Sequence, residues 1–310
     1  MQLTPYNKSL HYFAIFTACA TFLLIIAGAL VTSNDAGLSV PDWPTSFGSL
    51  YRLPRMIGGV KFEHSHRMIA EFIGVLTIVI ALWTWRADRR PWMKRLGIAA
   101  LGTVIAQGVL GGITVLNFLP PAVSTAHAVV GQTFFCIAVC IALFTGPRWV
   151  GEQPRTAPEP HRPTLLTLSL LSIAVIYVQL ILGGMFRHKG MGWEPHLLNA
   201  ALVTFLLTWT CVRALMRFSE IEAIRRPAIT LLSLLMLQLS LGFYAFIEKV
   251  MLGLNAVQPT GSQVLATVAH TATGALVLAT SIVLAIQTWR HVPVLGEERV
   301  PARNQKAVTA

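Results

Sequence analysis

Eight stretches of roughly 20 mostly apolar residues run through the chain, at about 11–32, 65–85, 96–117, 125–145, 165–186, 196–216, 228–247 and 266–289. That is the length a helix needs to cross about 30 Å of hydrocarbon. In lipid every backbone N–H and C=O must be satisfied within the spanning structure, which leaves only helices and closed barrels. Strand-type alternation is absent from these stretches, so a barrel is excluded. Composition agrees with the membrane reading. Only 12% of the 310 residues are charged and mean hydropathy is +0.62, against about a quarter charged in a soluble domain. The first stretch lacks a small-residue cleavage site followed by a polar mature region, and reads as a retained helix. The expected fold is an all-α polytopic membrane protein of eight transmembrane helices.

The basic residues then set the expected orientation. Lys and Arg total 24 against 13 Asp and Glu. With alternating spans, 17 of the 24 fall on one side, from Lys8 through Arg86, Arg148, Arg213 and Arg290 to Lys306. The other side holds Arg52, Arg55, Lys61, Arg67, Arg187, Lys189 and Lys249. The positive-inside rule places both termini in the cytoplasm of a bacterial cell membrane. The net charge of +11 is thus a topology signal and not a nucleic-acid footprint. The Pro-rich segment 146–163 reads as a linker, dividing the chain into an N-terminal four-helix half (1–150) and a C-terminal one (151–310). No globular domain is attached, so the chemistry belongs within the bundle or at its face.

The halves resemble each other. IIAGALVTS in the first span is echoed by QLILGGMFR in the fifth, and AQGVLGG in the third by LQLSLG in the seventh. The glycines have a plain reading as close-approach positions between membrane helices. Each even-numbered span also carries a histidine within its first turn or so: His66, His127, His196 and His270. Any one of them could simply bond a neighbour, yet four in matching places at one membrane face form a set. Neutral imidazole is a good axial ligand for haem iron, and small neighbours such as Ala70, Gly74, Gly131, Ala200 and Gly274 leave room for a flat ligand. Zinc is disfavoured because no Cys lies near these positions. The set is read as two bis-His haem sites, one per half. The remaining histidines, His188 included, read as solvated.

FEHSHRMIAE (62–71) is the densest ionisable cluster. Glu63 precedes His66 by three and shares its helical face. It is a candidate base, proton conduit or stabiliser of developing positive charge, against the plainer role of an interfacial residue favoured at a helix start. Arg67 can pair with Glu71 or reach a haem propionate. His64 points away and reads as a bystander. Nothing equivalent precedes His270, an asymmetry that puts chemistry in the first half and a supporting cofactor in the second. Trp43, Phe47 and Tyr51 in the first long loop are placed to cover the site.

GLSVPDWP after the first span, E-x-x-H-R opening the second (Glu63, His66, Arg67) and the three further histidines together resemble the haem A synthase family over about residues 11–289. The resemblance implies oxidation of the C8 methyl of haem O to a formyl group, giving haem A by successive hydroxylations. It implies a substrate site at His66 and His127, an essential role for Glu63, and haem b held by His196 and His270. Membrane lipid, haem O synthase and an electron donor or acceptor are the expected partners. One departure is clear. Many members carry a cysteine pair in the first loop, where this chain has Val40 and a residue near Ser46, and its four cysteines (19, 136, 140, 211) all lie inside spans. The competing readings are a bis-His electron-transfer cytochrome, and a haem carrier without catalysis.

Overall fold

The computed structural model describes residues 6–50, 52–253 and 258–293. Tyr51 and the basic residues Arg299, Arg303 and Lys306 lie outside the described residues. The chain forms α1 (Lys8–Ser33), α2 (Val60–Ala87), α3 (Pro91–Leu116), α4 (Pro121–Thr145), a short α5 (Pro147–Gly151), α6 (Leu165–Arg187), α7 (Glu194–Phe218), α8 (Glu222–Phe246, continued by a π-helical turn Ile247–Met251) and α9 (Gly261–His291). Eight of these are long and apolar enough to cross a membrane, as the hydropathy runs require.

The ends of the helices follow from local chemistry. Asn7 and Thr164 cap α1 and α6 by accepting from the amides of Leu10 and Thr167. Proline occupies the first turn of α3, α4 and α7, where its missing N–H costs nothing. Thr260 and Gln263 form a reciprocal capping box that starts α9. With its capping box α9 begins well before its apolar run, and so does α2, which has no side-chain cap. His196 is the third residue of α7, but His66 and His127 are the seventh of α2 and α4, and His270 is the tenth of α9. The histidines are therefore spread over the first three turns of their helices rather than confined to the first.

Packing is orderly. Helices α1–α4 close a ring of neighbours, α1 on α2, α2 on α3, α3 on α4 and α4 on α1, and α6–α9 close a second ring in the same sequence. The rings meet where α1 packs on α9, and α4 on both α6 and α9. Exchanging α1–α4 for α6–α9 leaves this pairing unchanged, which is compatible with the pseudo-twofold arrangement expected from the repeat. Cys136, Cys140 and Cys211 are buried and unbridged, packing as small apolar residues.

The 146–163 connection is less free than its composition implies. Buried Glu159 accepts from the Leu165 amide at 2.6 Å and from Arg213 Nε at 3.0 Å. Arg213 also donates to Pro163 O, and the Ala157 amide donates to His291 O. The Glu159 side chain is only 3% exposed, so truncating its partner strands a carboxylate. Arg213→Ala is expected to destabilise the protein by about 2–3 kcal/mol, read as a lowered thermal midpoint in detergent, whereas Arg217→Ala, on the same helix one turn on, is expected to have little effect.

Candidate functional site

Four imidazoles organise one end of the bundle. Helices α2, α4, α7 and α9 all start there, and α1, α3, α6 and α8 all finish there, so the early histidines of one set face the late glycines of the other. A Cβ placed on Gly28 would lie 3.0 Å from His66 Cε1, on Gly111 3.4 Å from His127 Cε1, on Gly183 2.8 Å from His196 Cε1, and on Gly242 2.9 Å from His270 Cε1. His66, His196 and His270 therefore lie against backbone that a Cβ would crowd, while a Cβ on Gly111 would meet His127 at ordinary van der Waals distance. These are glycines that the sequence pattern explains as generic helix contacts. Their specific work is to seat a ring.

One turn before each glycine stands a second recurring position, held by Gln107, Gln179 and Gln238 but by Leu24 on α1. Gln179 Nε2 lies 3.2 Å from His196 Nε2 and donates to His196 O at 3.0 Å, and its own Oε1 accepts from Asn199. Gln238 Nε2 lies 3.3 Å from His270 Nε2. Gln107 reaches only the backbone, donating to His127 O at 2.8 Å. His196 Nδ1 is 3.3 Å from Gln179 O. A proton on Nδ1 serves both contacts of that ring, Nδ1–H donating to Gln179 O and the Nε2 lone pair accepting from the Gln179 amide, which would have to release Nε2 for it to ligate a metal. Among the described residues, Nδ1 of His66, His127 and His270 is buried with no hydrogen-bond partner.

The ring centres of His196 and His270 are 6.3 Å apart with planes at 76°. An imidazole nitrogen binds a transition metal at about 2 Å and lies about 1 Å from its ring centre, so two rings sharing one metal have centres about 6 Å apart. Among the described residues no three His, Cys, Asp or Glu side chains converge as a metal site. The His196–His270 pair would thus supply two ligands and no more, a donor set that suits a metal whose other positions are filled by a macrocycle. The glycine seats and the 6.3 Å spacing fit haem held between His196 and His270.

Glu63 and Arg67 are brought together. Arg67 Nη2 meets Glu63 Oε1 at 2.7 Å, and Glu63 Oε2 accepts from the Val40 amide at 2.8 Å. Arg67 also donates to the carbonyls of Asp42, Thr45 and Val40 at 2.7–3.0 Å. The pair thus fastens the 34–50 loop onto α2. His64 joins it, its Nδ1 lying 3.1 Å from Ser46 Oγ, so it is a loop contact and no bystander. Glu71, considered from sequence as a partner of Arg67, is exposed. Val40 and Ser46, at or near the positions of the missing cysteines, are buried, Val40 completely. Asp42 shapes the turn by accepting from Thr45 Oγ1 and the amides of Phe47 and Gly48. Burial opposes its charge, but those hydrogen bonds outweigh it and hold the carboxyl down to about 2. Trp43 lies across Gly112, beside the glycine that seats His127, while Phe47 is exposed.

Two residues carry more than their sequence signal. His188, read as solvated, is partly buried, and burial, then Arg187 and His127, push its imidazole down to about 4. Arg187 joins helices from both rings.

Residues 60–195 match the family described as cytochrome oxidase assembly protein. A haem A synthase of Symbiobacterium thermophilum is 29% identical over 270 residues, covering 76% of this chain and 85% of that protein. The haem A synthase of Lysinibacillus sphaericus is 35% identical over 114 residues, 36% of each chain, and that of Shewanella oneidensis 28% identical over 185 residues, 54% of each. The chain is similar to haem A synthases, over most of its length in the case of the Symbiobacterium thermophilum protein. The 60–195 match takes in Glu63, Arg67, His66 and His127 and ends just before His196, while the Symbiobacterium thermophilum relative aligns over most of the chain.

The glycine seats can be tested apart from any ligand. Gly183→Ala forces a Cβ to 2.8 Å from the His196 ring and is expected to cost about 1–3 kcal/mol by overpacking. Gly111→Ala meets His127 at 3.4 Å and is expected to cost well under half as much. Thermal unfolding of the two variants side by side checks the order.

Proposed function

We propose that this chain is a haem A synthase, oxidising the C8 methyl of haem O by successive hydroxylations and loss of water to the formyl group of haem A. The observation that carries the reading is the pair of facing imidazoles at haem spacing, His196 and His270, within a fourfold His-on-Gly pattern at one end of the bundle. The printed names of the relatives support it. Bound haem supplies the iron chemistry. The four histidines would hold it, the Arg67-pinned 34–50 loop would lie beside the first pair, and Glu63 would contribute a carboxylate there. A transmembrane electron-transfer cytochrome fits less well, because all four seats lie at the same end. That end is placed at the outer face of the membrane, with the termini cytoplasmic, by the distribution of basic residues.

We assign haem O and haem A to His66 and His127, and haem b to His196 and His270. In support, a glutamine amide lies against each imidazole of the second ring. In the first ring Gln107 touches only backbone, and Leu24 stands where His66 would find an amide. Rings held in place suit a resident cofactor, and less encumbered ones suit a ligand that must enter and leave. Glu63 is the proposed catalytic residue. Both its oxygens are engaged, by Arg67 and by the Val40 amide, so the geometry favours a fixed negative charge that stabilises positive charge developing on the substrate, over a free base. Membrane lipid, haem O synthase and an electron donor or acceptor remain the proposed partners.

Co-expression with a haem O source, followed by chromatography of extracted haems, tests the activity. Haem A or its alcohol precursor is expected, and the absence of both from correctly inserted protein would overturn the reading. Glu63→Gln keeps an acceptor for the Val40 amide and is expected to lower conversion at least a hundredfold, as loss of a preorganised charge does, while the second-ring haem spectrum persists. Leu24→Gln tests the assignment of halves. It is expected to raise the haem retained per chain on purification and slow turnover, and unchanged retention would argue against an exchangeable first site.

A further inference from the structure

Arg187 ends α6, one turn beyond the glycine that seats His196, and stands between the two rings of helices. Its Nη2 donates to Ala29 O at 3.0 Å and to Ser33 Oγ at 2.6 Å on α1. Its Nη1 donates to Thr271 Oγ1 at 3.2 Å on α9. Ser33 is tied in turn to Thr267 at 2.8 Å. Ala29 adjoins the Gly28 that seats His66, and Thr271 adjoins His270. The guanidinium therefore lies beside the second histidine pair and within reach of the first helix.

All three acceptors are neutral oxygens. Among the described residues Arg187 makes no ion pair. Asp35 is felt electrostatically without meeting it. An arginine keeps its charge under all ordinary conditions and carries five N–H donors. Three are engaged here, leaving two uncommitted. Arg67 provides the contrast. All four of its terminal N–H groups are used, one of them on the Glu63 carboxylate and three on loop carbonyls. In the repeat, where Gly28 corresponds to Gly183, Arg187 takes the place of Thr32, which only bonds its own helix at Gly28 O. The cation is thus an addition peculiar to the second half. A charge at the edge of a membrane bundle with neutral partners and spare donors is costly unless an anion completes it, and a guanidinium is suited to a carboxylate.

We propose that Arg187 binds a propionate carboxylate of the haem held by His196 and His270, and so is the residue that anchors and orients that haem. The inference rests on the haem reading above and adds to it a specific anion receptor. Its test uses binding rather than turnover. The full chain, produced under haem depletion and purified in detergent, is titrated with ferric protoporphyrin IX and with its dimethyl ester, following the bis-imidazole absorption spectrum. In the unmodified protein the ester is expected to bind about tenfold or more weakly than the free acid, the scale of a lost charge-assisted hydrogen bond. In Arg187→Gln the two ligands are expected to bind within about twofold of each other, and in Arg187→Lys the preference for the acid is expected to return in part. Equal binding of acid and ester by the unmodified protein would overturn the proposal without any variant. So would an undiminished preference for the acid in Arg187→Gln. Failure of either ligand to give a bis-imidazole spectrum would instead overturn the haem assignment itself, and this proposal with it.

Discussion

A histidine ring can press against a neighbouring helix backbone most closely where that helix has no Cβ. Each of the four histidines meets a glycine in this way, tightly at Gly28, Gly183 and Gly242 and at ordinary contact distance at Gly111, and the rest of the site depends on it. It brings each helix pair close enough for the ring to be gripped, and places the residue one turn before each glycine against the same histidine. The small residue four after the histidine belongs to the same device. A Cβ placed on Gly131 or Gly274 would lie 3.3–3.9 Å from the amide of Gln107 or Gln238. The unit that recurs is therefore a helical hairpin, glycine on the outgoing helix and histidine on the returning one. Two hairpins make a half and two halves make the chain.

This explains what could and could not be read from the sequence. The eight spans were legible because hydropathy is a local property, and the four histidines because ionisable groups are scarce in such spans. The reason for the glycines was not, since their partners lie on the next helix and small residues suit many membrane contacts. The glutamines carry no signal until their histidines are placed beside them. Helix periodicity put Glu63 on the same face as His66, yet its partner is Arg67, four residues on, and the Val40 amide across the loop. The 146–163 segment has the composition of a linker, and only the distant Arg213 shows that it is pinned. Pairs separated by tens of residues leave no trace in periodicity, and those were the ones missed.

The same geometry accounts for how the chain manages without a loop disulfide. Val40, Asp42 and Thr45 offer their carbonyls to one guanidinium, and Asp42 closes the turn with its own acceptors. Charge-assisted hydrogen bonds of this kind are roughly twice as strong as neutral ones. Four on a single side chain can hold a short loop as a covalent bridge would. The arrangement also carries Trp43 onto Gly112, next to the His127 seat, so fixing the loop fixes the cover over the first site.

The two arginines at this end of the bundle then divide the work. Arg67 is saturated by a carboxylate and three carbonyls, so it has no terminal donor left for a further anion. Arg187 has three neutral acceptors and two free donors, so its charge remains available. A bound carboxylate would complete it as Glu63 completes Arg67. On the proposed assignment, the first half supplies its anion from the protein, and the second would take it from the ligand. A site that lacks its counterion until it is loaded will hold an acidic ligand tightly, as a resident cofactor requires. A site whose cation is already neutralised gives that ligand less to leave behind, which is what a substrate and its product need.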